Sequence, residues 1–151
     1  MAETMPDLTL TDDSGEPKAL ADYKGKPLVL FFFPRANTPG CTKESIAFSE
    51  MLEDFKSSGA AVAGVSKDSP KKLSNFRDKQ DLTVDLLSDA ETDLSERLGV
   101  WKEKQMYGKS FMGLERSTFL YGADGKLLRE WRKVKVKGHA EEVLEALREA
   151  A

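Results

Sequence analysis

The sequence predicts an α/β fold, and three observations carry this prediction. Residues 28–33 (LVLFFF) and 60–65 (AAVAGV) are unbroken apolar runs with the length of strands buried on both faces. Each run is followed by a segment predicted to be helical: the first by the spacing of its apolar residues, the second by a start at Ser69-Pro70. A hairpin signature at 122–125 (GADG) and a final helical pattern complete the chain. With 151 residues and 40 % hydrophobic composition, we expect a single domain over 1–151.

The first elements are predicted from the alternation of apolar and polar residues and from residues that interrupt strands. Weak alternation around Leu8 and Leu10 precedes the turn residues 12–15 (DDSG). The strand at 28–33 ends at Pro34, because proline has no amide hydrogen to donate to a neighbouring strand.

The helix that follows this strand has a well-marked start. Thr38 suits the N-cap position and Pro39 the first helical position. An amphipathic helix is indicated by the three- and four-residue steps between Ile46, Phe48, Met51, Leu52 and Phe55. Cys41 then falls in the first helical turn.

The second half of the chain continues the alternation of strands and helices. We predict a helix from Ser69-Pro70 to Gln80, a strand at 85–87, a helix at 92–98, strands at 118–121 and 126–131, and a closing helix at 140–149. This order is compatible with a thioredoxin-like fold, in which a central mixed sheet is flanked by helices. In open α/β sheets, reactive groups gather at the carboxyl ends of the parallel strands, which is where Cys41 lies.

Cys41 is the only cysteine of the chain. In the first turn of a helix, unpaired backbone N–H groups and the positive end of the helix dipole both favour an anion. The position therefore favours a reactive thiolate. The alternative is a small buried apolar residue, a common role for a free cysteine. The Thr-Pro-Gly sequence before Cys41 makes the nucleophile the preferred interpretation.

Composition and charge exclude several classes of function. Twenty-three basic and 26 acidic residues give a formal charge of −3, so we expect no nucleic-acid partner. The basic residues in 126–137 alternate with Val134 and Val136, which predicts a strand with a solvated face and makes a basic binding patch the less favoured interpretation. No apolar segment of the length of a leader or membrane span is present, and a single cysteine is consistent with a reducing compartment. We therefore expect a cytoplasmic protein without a membrane partner.

The segment 34–44 (PRANTPGCTKE) resembles the active-site loop of peroxiredoxins, and specifically of the peroxiredoxin Q group, also called bacterioferritin comigratory protein. The general pattern of the family is matched by Pro34, Thr38 and Cys41. The resemblance continues at Gly25-Lys26, 87–89, 99–101, 115–120 and 134–144. It therefore covers nearly the whole chain.

The resemblance implies a thiol-dependent peroxidase and assigns a role to each site residue. The Cys41 thiolate attacks a peroxide oxygen and becomes a sulfenic acid. Thr38 forms hydrogen bonds around the thiolate and the peroxide, and Pro34 shields the sulfur. Arg116 supplies a fixed cation, and Glu44 pairs with Arg116. That pairing removes a conflict, because an unpaired carboxylate three residues after Cys41 would disfavour the thiolate.

One departure from the family decides how the sulfenic acid is recycled. Many members carry a resolving cysteine five residues after the reactive one, where this chain has Ile46, and others carry it in the next helix, near Arg77. The resemblance therefore implies a one-cysteine variant that needs an external thiol: thioredoxin, glutaredoxin or a low-molecular-weight thiol. We expect peroxide as substrate, no cofactor, no metal, and a monomer or weak dimer.

Two further points stay open at this level. The aromatic and Met side chains of 101–115 either wall the peroxide site, form a partner surface or pack as a simple loop. A redox-sensing or holdase-type stress protein could use Cys41 as a sensor, whereas a disulfide oxidoreductase is disfavoured by the lack of a Cys-x-x-Cys pair.

His139, the only histidine, is predicted to be a surface residue at a helix start and not catalytic.

Overall fold

The structure, a computed structural model, describes residues 4–36 and 38–150. The strands are β1 (Thr9–Asp12), β2 (Pro17–Ala19), β3 (Leu28–Phe32), β4 (Ala61–Ser66), β5 (Asp85–Ser88), β6 (Trp101–Met106), β7 (Lys109–Leu114), β8 (Ser117–Tyr121) and β9 (Leu127–Arg132). The helices are α1 (Pro39–Glu50), α2 (Leu52–Ser57), α3 (Pro70–Gln80), α4 (Leu94–Arg97) and α5 (His139–Ala150), with a 3-10 turn at Leu20–Tyr23. Among the helices of the described ranges, none is long and apolar enough to cross a membrane.

Seven strands form one mixed sheet in the order β2-β1-β5-β4-β3-β8-β9. The three central strands β3, β4 and β5 are parallel, and the outer pairings are antiparallel. Parallel central strands place the carboxyl end of β3, and hence the start of α1, at the same edge as the ends of β4 and β5. The predicted mixed central sheet flanked by helices is confirmed.

The core lies on both faces of this sheet, and β3 shows why. Val29 and Phe31 pack against α1, α2, α3 and α5, whereas Leu28, Leu30 and Phe32 face the 3-10 turn and α4. Successive side chains of a strand point to opposite faces, so a strand covered on both sides reads as a continuous apolar run. This explains why residues 28–33 show no alternation.

The helix after Cys41 is interrupted, which corrects the prediction of one continuous helix through Phe55. Met51 separates α1 from α2 with φ −95° and ψ 4°. One contact accompanies the break: the Thr83 hydroxyl donates to the carbonyl of Ser49 at 3.2 Å. A continuing helix would use that carbonyl in its own hydrogen-bond ladder.

Residues 101–115 form a β-hairpin, so the simple-loop alternative is wrong. β6 and β7 pair antiparallel from Trp101↔Leu114 to Met106↔Lys109. The turn at Tyr107 and Gly108 has φ of 54° and 75°, as a two-residue hairpin turn requires. Most of β7 is exposed, and Tyr107 is 95 % exposed. The hairpin therefore lacks the buried face that would have marked its strands in the sequence.

The basic segment after β9 is also not the predicted strand. β9 ends at Arg132, and Lys133 adopts a left-handed backbone with φ 52°. A residue in that conformation breaks the alternation of an extended chain, so Val134 and Val136 lie in the connection to α5. The three lysines at 133, 135 and 137 are exposed along this connection.

His139 is buried, not on the surface, although it does begin a helix. It is 5 % exposed, and its Nε2 lies 2.8 Å from the hydroxyl oxygen of Thr118. Its ring meets the rings of Phe48 and Trp131 edge-on. Burial lowers the pKa of His139 to about 4, with Glu142 acting in the opposite direction. The imidazole is therefore neutral at pH 7.

This burial predicts a specific loss of stability in acid. A histidine with a lowered pKa in the folded state stabilises the protein above its unfolded pKa, near 6.5, and this stabilisation is lost as pH falls toward 4. Between about pH 7.5 and about pH 4.5, the free energy of unfolding should fall by about 2–3 kcal/mol more in the wild type than in His139→Gln. Denaturant unfolding at the two pH values measures the difference. Equal losses would show that His139 does not titrate between the folded and unfolded states.

Candidate active site

Cys41 lies in the first turn of α1, just beyond the carboxyl end of β3. The connection is anchored to the segment that follows β4, because the Ala36 N–H donates to Asp68 Oδ2 at 2.7 Å. Pro39 occupies the first turn, and its missing N–H costs the helix nothing there. The sulfur-bearing side chain is fully buried at 0 % exposure. Cys41 is thus held at the positive end of a helix and shielded from bulk water.

Thr38 occupies the predicted N-cap position, but its side chain does not cap the helix. Its hydroxyl donates to the carbonyl of Arg35 at 2.8 Å. The backbone carbonyl of Thr38 accepts the N–H of Thr42 at 2.9 Å. Among the described residues, no hydrogen bond joins the Thr38 hydroxyl to Cys41 Sγ.

The Arg116 guanidinium links the two acidic groups of the site. Its Nη1 donates to Glu44 Oε1 at 2.7 Å and its Nη2 donates to Cys41 Sγ at 3.4 Å. Arg116 comes from the turn between β7 and β8, 75 residues beyond Cys41. It lies close to Gly40, where an added Cβ would lie 3.0 Å from Nη2 and would press on the guanidinium. Gly40 therefore borders the site; the sequence analysis used it as part of the Thr-Pro-Gly sequence but gave it no role of its own.

Glu44 is buried to 1 % exposure, which makes its ionisation depend on Arg116. Burial raises the pKa of Glu44 to about 7, while the charge and the hydrogen bond of Arg116 act to lower it. The second carboxylate oxygen, Oε2, is buried and has no hydrogen-bond partner within the described residues. Burial acts to lower the pKa of Arg116, but the charges of Glu44 and Cys41 outweigh it and the net shift is upward. The guanidinium thus stays charged between the carboxyl and the sulfur.

Lys104 is a second cation near the thiol, and no sequence motif marked it as a site residue. Its ammonium donates to the carbonyl of Leu114, and its aliphatic arm crosses Gly113, where a Cβ would lie 3.3 Å from Cδ. Burial, followed by the charge of Arg116, lowers the pKa of Lys104, whereas Glu115 and Cys41 act to raise it. Lys104 therefore lies within electrostatic range of both Arg116 and Cys41.

The remaining residue of the predicted site is less directly involved. Pro34 is partly exposed on the bend between β3 and α1. Asn37, part of the same sequence motif, lies outside the described residues. The structure thus brings Cys41, Glu44 and Arg116 into direct contact and places Thr38 one turn before the sulfur. A buried sulfur beside a fixed cation suits nucleophilic attack by that sulfur, because the cation stabilises the negative charge that develops on the leaving group.

Comparison with known proteins agrees with this chemistry. Residues 1–129 match the family model described as AhpC/TSA family. The chain belongs to the AhpC/TSA family. Peroxiredoxin Bcp of Bacillus subtilis (strain 168) is 47 % identical over 149 residues, covering 99 % of this chain and 95 % of that protein. Peroxiredoxin Bcp of Escherichia coli (strain K12) is 38 % identical over 146 residues, covering 97 % and 94 %.

Solved structures of the family extend the agreement to the fold. The bacterioferritin comigratory protein of Xanthomonas campestris superimposes with a TM-score of 0.90 at 43 % identity, covering 95 % of this chain and 91 % of that chain. The predicted thioredoxin-like fold and the resemblance to the Q group are confirmed. The chain is a peroxiredoxin, and as such a thiol-dependent peroxidase with a peroxide substrate and a thiol reductant.

Proposed function

We propose that this peroxiredoxin reduces hydrogen peroxide and small organic hydroperoxides through Cys41, and that an external thiol recycles it. The observation that carries the proposal is the single guanidinium of Arg116 shared between Cys41 Sγ at 3.4 Å and Glu44 Oε1 at 2.7 Å. The ion pair with Glu44 holds the Arg116 guanidinium in place beside the sulfur. The Xanthomonas campestris relative has alkyl peroxide reduction activity, which supports the organic hydroperoxides as substrates.

In the proposed step, the Cys41 thiolate attacks one oxygen of the hydroperoxide. The sulfur–oxygen bond forms as the O–O bond breaks, so the sulfur is oxidised to a sulfenic acid and the peroxide is reduced. The leaving alkoxide or hydroxide takes up a proton and departs as alcohol or water. Negative charge moves from sulfur to oxygen along this path, and fixed donors aimed at it lower the barrier. Arg116 supplies a fixed positive donor to this negative charge. The Thr38 hydroxyl can rotate from Arg35 toward the peroxide, and Pro34 limits access to the sulfur.

A thiol from another molecule must reduce the Cys41 sulfenic acid, because this chain has a single cysteine. One thiol condenses with the sulfenic acid to give a mixed disulfide and water, and a second thiol opens that disulfide by exchange at sulfur. Candidates are thioredoxin, glutaredoxin or a low-molecular-weight thiol, acting on a monomer or weak dimer in the cytoplasm. The full burial of Cys41 favours a reductant small enough to reach it.

Capture of the sulfenic acid tests the proposal. One equivalent of hydrogen peroxide should give a product that a dimedone-type probe labels at Cys41, detected by intact mass. Since the chain has no second cysteine, the species should persist, and excess peroxide should convert it to sulfinic acid. Ile46→Cys is the matched comparison, because it restores a thiol five residues downstream and should shorten the lifetime of the label-competent species.

Non-reducing electrophoresis of the same samples decides the recycling scheme. The proposal predicts a monomer that a monothiol converts to a mixed disulfide. A Cys41–Cys41 disulfide dimer as the main product would instead show that resolution occurs between two chains. A sample that consumes peroxide without gaining oxygen at Cys41 would contradict the sulfenic acid chemistry.

A further inference from the structure

A cationic cleft lies between the end of β9 and the first turn of α5. Its volume is about 370 Å³, and it is lined by residues 131–135, 137–139 and 142. The charged side chains among these are Arg132, Lys133, Lys135, Lys137 and Glu142. Four cations against one carboxylate give the cleft a positive potential, although the chain as a whole carries a net charge of −3.

The lysines of this cleft, unlike its arginine, form no salt bridges within the described residues. Arg132 donates to the carbonyls of Leu98 and Gly99 and pairs with Glu130. Lys133, Lys135 and Lys137, in contrast, are exposed, and no salt bridge joins any of them to a carboxylate within residues 4–36 and 38–150. Three unpaired cations around a concave surface favour an anionic ligand.

The wall of the cleft adds two polar side chains. His139 is 5 % exposed; its Nε2 lies 2.8 Å from the hydroxyl oxygen of Thr118, and Glu142 Oε1 lies 3.8 Å from Nδ1, too far for a hydrogen bond. In the neutral tautomer that accepts the Thr118 hydroxyl at Nε2, the proton is on Nδ1, which is then free to donate. The indole N–H of Trp131, another lining residue, is buried without a partner among the described residues.

The cleft adjoins the active site through Arg116. The N–H of Val134, a lining residue, donates to the backbone carbonyl of Arg116 at 2.9 Å, and the side chain of that same arginine reaches Cys41 Sγ. His139 is joined to Thr118, two residues beyond Arg116 on β8.

We infer that this cleft binds the carboxylate groups of an anionic low-molecular-weight thiol, which is the reductant of the Cys41 sulfenic acid. The inference rests on the proposed function and names the chemistry of its thiol partner. Two observations support it. The single cysteine is fully buried, which favours a small external thiol, and a lining residue of the cationic cleft, Val134, contacts the backbone of the active-site arginine. Carboxylates held by the lysines would bring the thiol sulfur toward Cys41.

The bound thiol reduces the Cys41 sulfenic acid in two steps. Its sulfur bonds to the sulfur of the sulfenic acid, the hydroxyl leaves as water with the thiol proton, and a mixed disulfide remains on Cys41. A second molecule of the same thiol attacks the reductant's sulfur in that mixed disulfide. Cys41 is then released as a thiol, and the two reductant molecules leave as their own disulfide.

The test compares an anionic thiol with a neutral one in steady-state turnover at saturating hydrogen peroxide. Glutathione, with two carboxylates, and 2-mercaptoethanol, with none, are the probes. The double variant Lys135→Gln/Lys137→Gln should lower the ratio of kcat/KM for glutathione to kcat/KM for 2-mercaptoethanol about tenfold. Lys71→Gln/Lys72→Gln, which removes two exposed lysines from α3, is the matched control and should preserve that ratio. Raising the salt concentration should weaken glutathione turnover in the wild type more than in the cleft variant.

Each other outcome has a definite meaning. A preserved ratio in the cleft variant, or an equal fall with both thiols, would overturn the inference. So would a wild type that turns over with 2-mercaptoethanol and not with glutathione, although the proposed peroxidase cycle would then stand. Absence of the dimedone-labelled sulfenic acid would remove the proposed function itself, and with it this inference.

Discussion

Replacing Cys41 by serine should abolish peroxide turnover while leaving the fold intact. The serine hydroxyl has nearly the shape of the thiol but is not ionised at neutral pH and cannot form a sulfenic acid. We expect the rate of peroxide consumption to fall by a factor of at least about 10⁴. Arg116 Nη2, 3.4 Å from Sγ, can donate to the new hydroxyl, so the buried polar group keeps a partner. Peroxide consumption and circular dichroism on the same sample measure both parts.

Ser45→Ala is the matched control for this variant. Ser45 is fully buried in the same helix, and its hydroxyl has no hydrogen-bond partner within the described chain. Removing that hydroxyl should leave turnover within about twofold, because the lost oxygen forms no hydrogen bond with Cys41 or Arg116 among the described residues. Residual turnover in Cys41→Ser above that of free peroxide would mean that another residue carries the chemistry. Protection of a client protein that survives in Cys41→Ser would point to the holdase alternative.

The central elements could be predicted from the sequence because their signals are local. The apolar runs became β3 and β4, and Ser69 does cap α3, accepting the N–H of Lys72 at 3.3 Å. The signature at 122–125 does join two antiparallel strands, β8 and β9. In each case burial or backbone chemistry within a few residues determines the structure.

The features that were missed depend on contacts distant in sequence. His139 looks like a polar residue at a helix start, and only the approach of Thr118, Phe48 and Trp131 buries it. The break at Met51 accompanies a hydrogen bond from Thr83, more than 30 residues away. No spacing rule could place Arg116 against Cys41; the resemblance to peroxiredoxins suggested Arg116 as a site residue, and the geometry came from the structure.

Arg116→Lys should slow the attack on peroxide although it preserves the positive charge. The guanidinium meets two partners at once, Nη1 at Glu44 and Nη2 at Cys41. A lysine ammonium on a flexible side chain lacks the planar fork of the guanidinium, so it cannot donate to Glu44 and Cys41 in the same fixed geometry. Loss of one fixed donor at a developing anion commonly costs about 10²–10³ in rate, so we expect a fall of about 100-fold in the second-order rate constant for oxidation of Cys41. Stopped-flow tryptophan fluorescence or competition for peroxide measures that constant.

Arg77→Lys separates this effect from the general loss of a paired arginine. Arg77 also pairs with a carboxylate, Asp13, and donates to the carbonyls of Leu82 and Val84, but it contacts no residue of the site. Its replacement should lower the free energy of unfolding and leave the oxidation rate constant within about twofold. The Arg116 variant should in addition react more slowly with iodoacetamide, because the thiolate loses its fixed donor. Unchanged oxidation and alkylation in Arg116→Lys would make the arginine a packing residue, and the anion at Cys41 would then depend on the helix start and on Lys104 alone.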